Sequence, residues 1–238
     1  MTQHDARLKL QDRIILITGA SRGLGAALAS EFASHGAKLI LVAKTQGALE
    51  AVDDHVRECQ KQQGLPVDGA VLIPMDLTQG DHIDGVAANI YQRFGRLDGL
   101  IGNAAILGSL SPLSHYTPKE FQSVITMNLT VNYRLIRAME PLLRQSKHEA
   151  RALFISCEQA NAPKPYWGAY AASKAGLQAM VEAWAQEVKQ FNIKAGWIDP
   201  GPMATRLHEK AYPGRSGSPL QAPPPTDHAT ARCLDFFM

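Results

Sequence analysis

The 238-residue chain is 45% apolar and 19% charged with a formal charge of +2, which sets it among ordinary soluble globular proteins and apart from disordered, collagen-like or coiled-coil chains. At this length one α/β core buries roughly 70–75% of the surface that the unfolded chain exposes, so a single domain over 1–238 is expected without disulfide or metal staples. Cys59, Cys157 and Cys233 form no CxxC pair, arguing for a reducing, cytoplasmic setting and against structural zinc, and the absence of a Lys/Arg run argues against nucleic-acid or membrane partners.

In chain order, the start MTQHDARLKLQDR has no apolar stretch of signal-peptide length, and no run of 18 apolar residues follows anywhere. From Arg13 short apolar runs alternate with longer amphipathic stretches, the rhythm of a mostly parallel sheet with helices on both faces. Strands are expected at Ile14 to Ile17, Lys38 to Val42, Ala70 to Met75, Leu97 to Gly102, Ala152 to Ser156 and Ile193 to Ile198. Helices are expected at Leu24 to His35, Gly47 to Gln63, His82 to Phe94, Pro118 to Gln145 and Gly168 to Phe191, with Pro141 kinking the fourth or tightening its end. Seven of the 14 prolines fall between Pro200 and Pro225, so that segment reads as a long irregular connection before a last helix, Thr226 to Phe237.

The first strand runs directly into Thr18-Gly19-Ala20-Ser21-Arg22-Gly23-Leu24-Gly25 and a helix. Backbone N–H groups at such a turn, together with the positive end of the helix, suit a diphosphate, and glycines let the backbone approach it. The plain alternative is a tight turn with packing glycines. An acidic residue at the end of the second strand would grip the 2′-hydroxyl of NAD, but Lys44 stands there. With Arg22 it favours the 2′-phosphate of NADP(H) over NAD(H). Asp76 and Leu77, past the third strand, suit an adenine ring; Asn103 and Ala104, past the fourth, suit a ribose or form only a strand-end turn. Tyr170 and Lys174 are four residues apart and share a helical face, where an ammonium favours a phenolate and draws the tyrosine toward a useful pKa.

Taken as a set and in order, the glycine turn, Asp76-Leu77, Asn103-Ala104-Ala105, Asn128, Tyr170 to Lys174, and Pro200-Gly201 with Thr205 resemble the short-chain dehydrogenase/reductase family over residues 12 to 206. The resemblance implies a Rossmann-like doubly wound parallel sheet, a nicotinamide cofactor and hydride exchange with a small or medium carbonyl or alcohol. It implies Tyr170 as the general acid, Lys174 as the group that holds the nicotinamide ribose, Asn128 as the positioner of a relay water, and Thr205 as a carboxamide contact. The cofactor contacts implied are Gly19, Ser21, Arg22, Gly23, Leu24, Gly25, Lys44, Asp76, Leu77, Asn103, Ala104, Pro200 and Gly201 besides Tyr170, Lys174 and Thr205. A homodimer is expected by the same resemblance, with a tetramer as the variant.

The chain also departs from that family. A serine is usual thirteen residues before the tyrosine, and here Cys157 holds the place. Ser156 precedes it and substitutes only if the strand end bends, because neighbours on a strand face opposite ways. A thiol is a weak donor, so the site is expected to be slow. A covalent Cys157 nucleophile is the sharper alternative, though no histidine lies near it in sequence. Six strands are expected and the family's seventh, C-terminal strand is not, which leaves 203–225 as the substrate loop and Leu234 to Met238 to cover the sheet edge, meet a second subunit or end an ordinary helix. The rival function is a non-catalytic NADP(H)-binding sensor or partner protein.

Overall fold

The structure, a computed structural model, describes residues 9–213 and 226–238, so the part of the expected substrate loop at 214–225 lies outside the described residues. Among them, six strands form one parallel sheet in the order β3-β2-β1-β4-β5-β6, a Rossmann-like arrangement with helices on both faces. The strands are β1 (Ile14–Thr18), β2 (Lys38–Ala43), β3 (Val71–Pro74), β4 (Gly99–Gly102), β5 (Ala150–Ile155) and β6 (Ile193–Ile198). The main helices are α1 (Gly23–Ser34), α2 (Gln46–Gln62), α3 (Asp81–Phe94), α4 (Pro118–Ile125), α5 (Val131–Leu143), α6 (Gly168–Val188), α7 (Arg206–Ala211) and α8 (Asp227–Phe237).

Strand alternation divides the core in two. In β1, Ile14 and Leu16 face α3, α5 and α6, while Ile15 and Ile17 face α1, α2 and α8. Every β1 residue is buried, as expected of a strand covered on both sides. The reversal of strand order lies between β1, which leads outward to β2 and β3, and β4, which leads to β5 and β6. A crevice therefore opens between them at the carboxyl ends of the strands.

Asp98 fastens the opposite end of this switch point. Its carboxylate is fully buried and accepts from Ile14 N at 2.9 Å, Ser146 Oγ at 2.6 Å and Arg96 Nε at 3.1 Å. Asp98→Ala leaves a buried N–H and a guanidinium without their acceptor, and is expected to destabilise the fold by about 3 kcal/mol. Urea denaturation checks this; a loss below about 1 kcal/mol would show that water replaces the carboxylate.

Two elements differ from the sequence expectation. The helix expected over Pro118 to Gln145 is divided by a π turn at Thr126–Thr130, with Pro141 accommodated in the last turn of α5. The wider turn coincides with Asn128, whose buried side chain is tied to residues outside the helix. The segment after β6, expected to be irregular, contains α7: no proline falls between Pro202 and Pro213, and Thr205 caps the helix by accepting from His208 N at 3.3 Å. At the end of the chain, α8 packs on the sheet face beside α1. The Phe237 ring meets Phe32 edge-on at 5.1 Å, and Phe236 lies over Gly196 of β6.

Candidate active site

The carboxyl ends of all six strands feed one cleft of about 1110 Å³. Its floor is the glycine turn. Gly19 has φ +65, and a Cβ there would sit 2.9 Å from Ala104 Cα, so only glycine allows β1 and β4 to approach this closely. Gly25 lies beneath the turn, where a Cβ would collide with the Gly19 carbonyl and come within 2.7 Å of Asn103 Nδ2. Helix α1 begins with no side-chain cap and no acidic residue in its first turn. Its first N–H groups and positive end are left to face the cleft, which suits the diphosphate of a dinucleotide.

Ser21, Arg22, Gly23 and Leu24 line this floor, and Lys44, Asp76 and Leu77 line the wall past β2 and β3. The sequence offers Lys44 and Asp76 as independent ligand contacts, but they meet: Lys44 Nζ donates to Asp76 Oδ2 at 2.8 Å. Thr78 also donates to Asp76, from its N–H and its hydroxyl. The Lys44 bond and then the Thr78 bonds hold the Asp76 carboxyl down at about 2, and Asp76 in turn raises Lys44. The lysine charge is thus partly neutralised, and Arg22 is the cation that the floor offers.

Asn103 serves the turn. Its Nδ2 donates to the carbonyls of Thr18 at 2.9 Å and Gly19 at 3.2 Å, while its backbone N–H donates to Thr18 Oγ1 at 3.0 Å. Of the two sequence readings for Asn103, the strand-end turn describes its amide. Thr18 stands in the turn motif with no role of its own in the sequence reading: its hydroxyl also takes Ala104 N at 3.2 Å and donates to Ile101 O at 3.1 Å, stapling β1 to β4. A hydroxyl immediately before the first glycine was the available signal.

The other half of the cleft lies over α6. Tyr170 is 5% exposed and Lys174 is 2% exposed, side by side one turn apart. Lys174 Nζ donates to Ile155 O at 2.6 Å and lies 5.8 Å from the Tyr170 ring centroid. Burial pushes Lys174 down to about 8. Burial first, then the charge and hydrogen bond of Cys157 and the charge of Asp199, push Tyr170 above the ordinary phenol range. The sequence expectation that Lys174 draws Tyr170 down is outweighed here by desolvation of both groups. At neutral pH Tyr170 is therefore a protonated phenol, equipped to donate.

The two residues at the serine position separate as strand alternation requires. Ser156 Oγ is buried and accepts from Gln178 Nε2 of α6 at 2.8 Å, so the bend that would bring its hydroxyl beside Tyr170 is absent. Cys157 faces Tyr170, within hydrogen-bonding reach of its hydroxyl. Burial raises the thiol more than Lys174 and the N–H groups of Gln159 and Ala160 lower it. A neutral thiol is a poor nucleophile, which weighs against covalent chemistry at this position.

Asn128 stands behind the cleft, 0% exposed. Its Oδ1 accepts from Ile106 N at 2.9 Å, and its Nδ2 donates to Ile106 O at 2.9 Å and Ser173 Oγ at 3.0 Å. The side chain thus clamps the strand-end loop after β4 to α6. Ser173, the middle of that clamp, and Gln178, which holds Ser156, were not singled out from sequence because buried pairings between helices carry no local signal. Past β6, Pro200, Gly201 and Thr205 line the cleft, and a Cβ on Gly23 would lie 3.3 Å from Thr205 Cγ2. The loop after β6 therefore reaches across to the glycine turn.

The family model described as short chain dehydrogenase matches residues 13–216. The Escherichia coli (strain K12) oxidoreductase YciK is 32% identical over 214 residues, 90% of this chain and 82% of that protein. Among solved structures, a short chain dehydrogenase from Pseudomonas syringae superposes with a TM-score of 0.87 at 31% identity, covering 97% of this chain and 91% of the other. One from Escherichia coli CFT073, solved as a complex with NADPH, gives a TM-score of 0.87 at 29% identity, covering 97% and 92% of the two chains.

Proposed function

This chain is a member of the short-chain dehydrogenase family, and we propose that it is an NADP(H)-dependent oxidoreductase acting on a small or medium carbonyl or alcohol. The observation that carries the reading is the buried, protonated Tyr170 at the junction of the glycine turn's cleft with the half over α6, beside Cys157 and Lys174. The residues fit a dinucleotide. Gly19 and Gly25 have no room for a Cβ, the α1 terminus is uncapped, and Thr205 reaches the turn from the far wall. When bound, the nicotinamide supplies or accepts the hydride.

The protein's own residues manage the proton. Tyr170 donates from its hydroxyl to the substrate oxygen during reduction, and takes the proton back in the reverse direction. The Lys174 ammonium, buried beside it, stabilises the phenolate left behind, and with a dinucleotide bound it would hold the ribose hydroxyls. Asn128 positions the loop and α6 relative to each other. Steady-state loss of NADPH absorbance with a panel of aldehydes and ketones tests the proposal. Tight NADPH binding with no turnover across the panel would leave a dinucleotide-binding protein in its place, and absence of binding would defeat both.

Arg22 rather than Lys44 is expected to carry the preference for NADPH, because Asp76 already engages the lysine. Arg22→Ala should weaken NADPH binding about 10-fold with little effect on NADH, and Lys44→Ala should weaken it less. Fluorescence titration reads both; tighter binding of NADH by the unaltered protein would overturn the assignment. The NADPH complex of the Escherichia coli CFT073 neighbour supports this direction.

Cys157→Ser places a stronger donor beside Tyr170, and kcat/KM should rise several-fold. An unchanged or lower value would mean that the thiol is matched to the substrate, with its bulk or polarisability worth more than a hydroxyl's hydrogen bond.

A further inference from the structure

Beyond Tyr170, the described residues of the α6 half of the cleft are walled by aromatic rings. Trp167, 7% exposed, meets the Tyr170 ring edge-on with centroids 5.8 Å apart. On its other side it meets Tyr212, also at 5.8 Å and tilted by 42°, and Tyr212 lies against His208 at 4.8 Å. Leu207 and Ala211 of α7 complete this wall. A group attached to a carbonyl whose oxygen reaches the Tyr170 hydroxyl has the wall of Trp167 and Tyr212 beside it.

The polar groups nearby are engaged with one another. Glu158 Oε1 accepts from Lys164 Nζ at 2.8 Å and from Gln159 Nε2 at 2.7 Å, and Asp199 Oδ1 accepts from Gly201 N at 2.8 Å. The charges lining the cleft beside this wall come in equal number, Glu158 with Lys164 and Glu209 with Arg206, so together they select neither an anionic nor a cationic substrate. A polyol would set its hydroxyls against the packed side chains of Trp167, Tyr212, Leu207 and Ala211, whereas flat apolar rings stack on Trp and Tyr at little entropic cost.

Resting on the reductase reading above, we propose that the substrate class is an uncharged carbonyl compound bearing an aromatic or alicyclic ring, which lies against the wall that Trp167 and Tyr212 form together, with its oxygen at Tyr170. The ring is recognised by the wall, and the reacting carbonyl by the tyrosine.

The test compares benzaldehyde and cyclohexanone with glyceraldehyde and 4-carboxybenzaldehyde under NADPH. The two uncharged ring carbonyls should show kcat/KM at least 10-fold above the other two. Tyr212→Ala and Trp167→Ala should each raise KM for benzaldehyde about 10-fold while the NADPH Kd stays within 2-fold, and Trp167→Phe, which keeps a ring in this buried position, should restore most of the loss. Turnover of glyceraldehyde or 4-carboxybenzaldehyde at least equal to benzaldehyde would overturn the substrate class and leave the reductase reading standing. If no carbonyl is reduced, the reductase reading fails, and calorimetric titration of the NADPH complex with benzyl alcohol decides the wall separately. Binding that Tyr212→Ala weakens supports it; no binding, or binding indifferent to both alanine variants, overturns it.

Discussion

Tyr170→Phe should lower kcat for carbonyl reduction by about 10²–10⁴-fold and leave NADPH affinity unchanged. The substitution removes one hydroxyl and keeps the ring. That ring is what packs against Trp167 in the small cluster with Leu107 and Ala211, so the fold keeps its contacts. The phenol stays protonated at neutral pH because its charged form is disfavoured by burial, and no ionised partner is lost with it. Single-turnover mixing of the NADPH-loaded variant with substrate isolates the chemical step from binding and release. A loss smaller than 10-fold would transfer the proton to another donor. The Cys157 thiol is the candidate within reach, and the double variant Tyr170→Phe with Cys157→Ala would then show the larger loss.

The parts of this site carried by short local patterns were legible in the sequence. The glycine turn could be placed because β1 is a run of apolar residues that ends at Thr18 and α1 begins at Gly23, directly after the turn. Tyr170 and Lys174 could be paired because four residues make one helical turn. What sequence does not display is which partner a polar side chain finds across the fold. Lys44 and Asp76 are 32 residues apart and in sequence stand as two separate ligands, yet the parallel pairing of β2 with β3 brings the strand ends together and the charges neutralise each other. By residue pattern alone Asn128 is one more residue of a long amphipathic helix, and only the family resemblance marks it, as the positioner of a relay water. Its role emerges only where the π turn places it against Ile106 and Ser173. The aromatic wall had the same invisibility: Trp167 and Tyr212 stand 45 positions apart, and α7, which carries one to the other, lay in a stretch whose prolines concealed a capped helix.

Lys174→Met should abolish most activity, by about 10²–10³-fold, and at the same time stabilise the protein at neutral pH. The ammonium is fully buried and held at about 8, below its ordinary value of 10.5. Between those two values the unfolded chain binds a proton that the folded chain does not, so stability rises with pH across the window and the burial cost is fully present below about pH 8. Removing the charge recovers at most about 3 kcal/mol, from which the lost hydrogen bond to Ile155 O is to be deducted. The variant's thermal midpoint should therefore exceed that of the unaltered protein at pH 7, and the advantage should shrink as pH rises from about 8 toward 10.5. The same group sets the alkaline limb of activity: as Lys174 loses its proton above about pH 8, the phenolate that forms during reduction loses its stabilising charge, and kcat/KM should fall. A variant with a lower midpoint at pH 7 would show that the ammonium contributes more through Ile155 than its burial costs. An unaltered protein whose kcat/KM stays flat to pH 10 would place the working proton balance of the site on a different group.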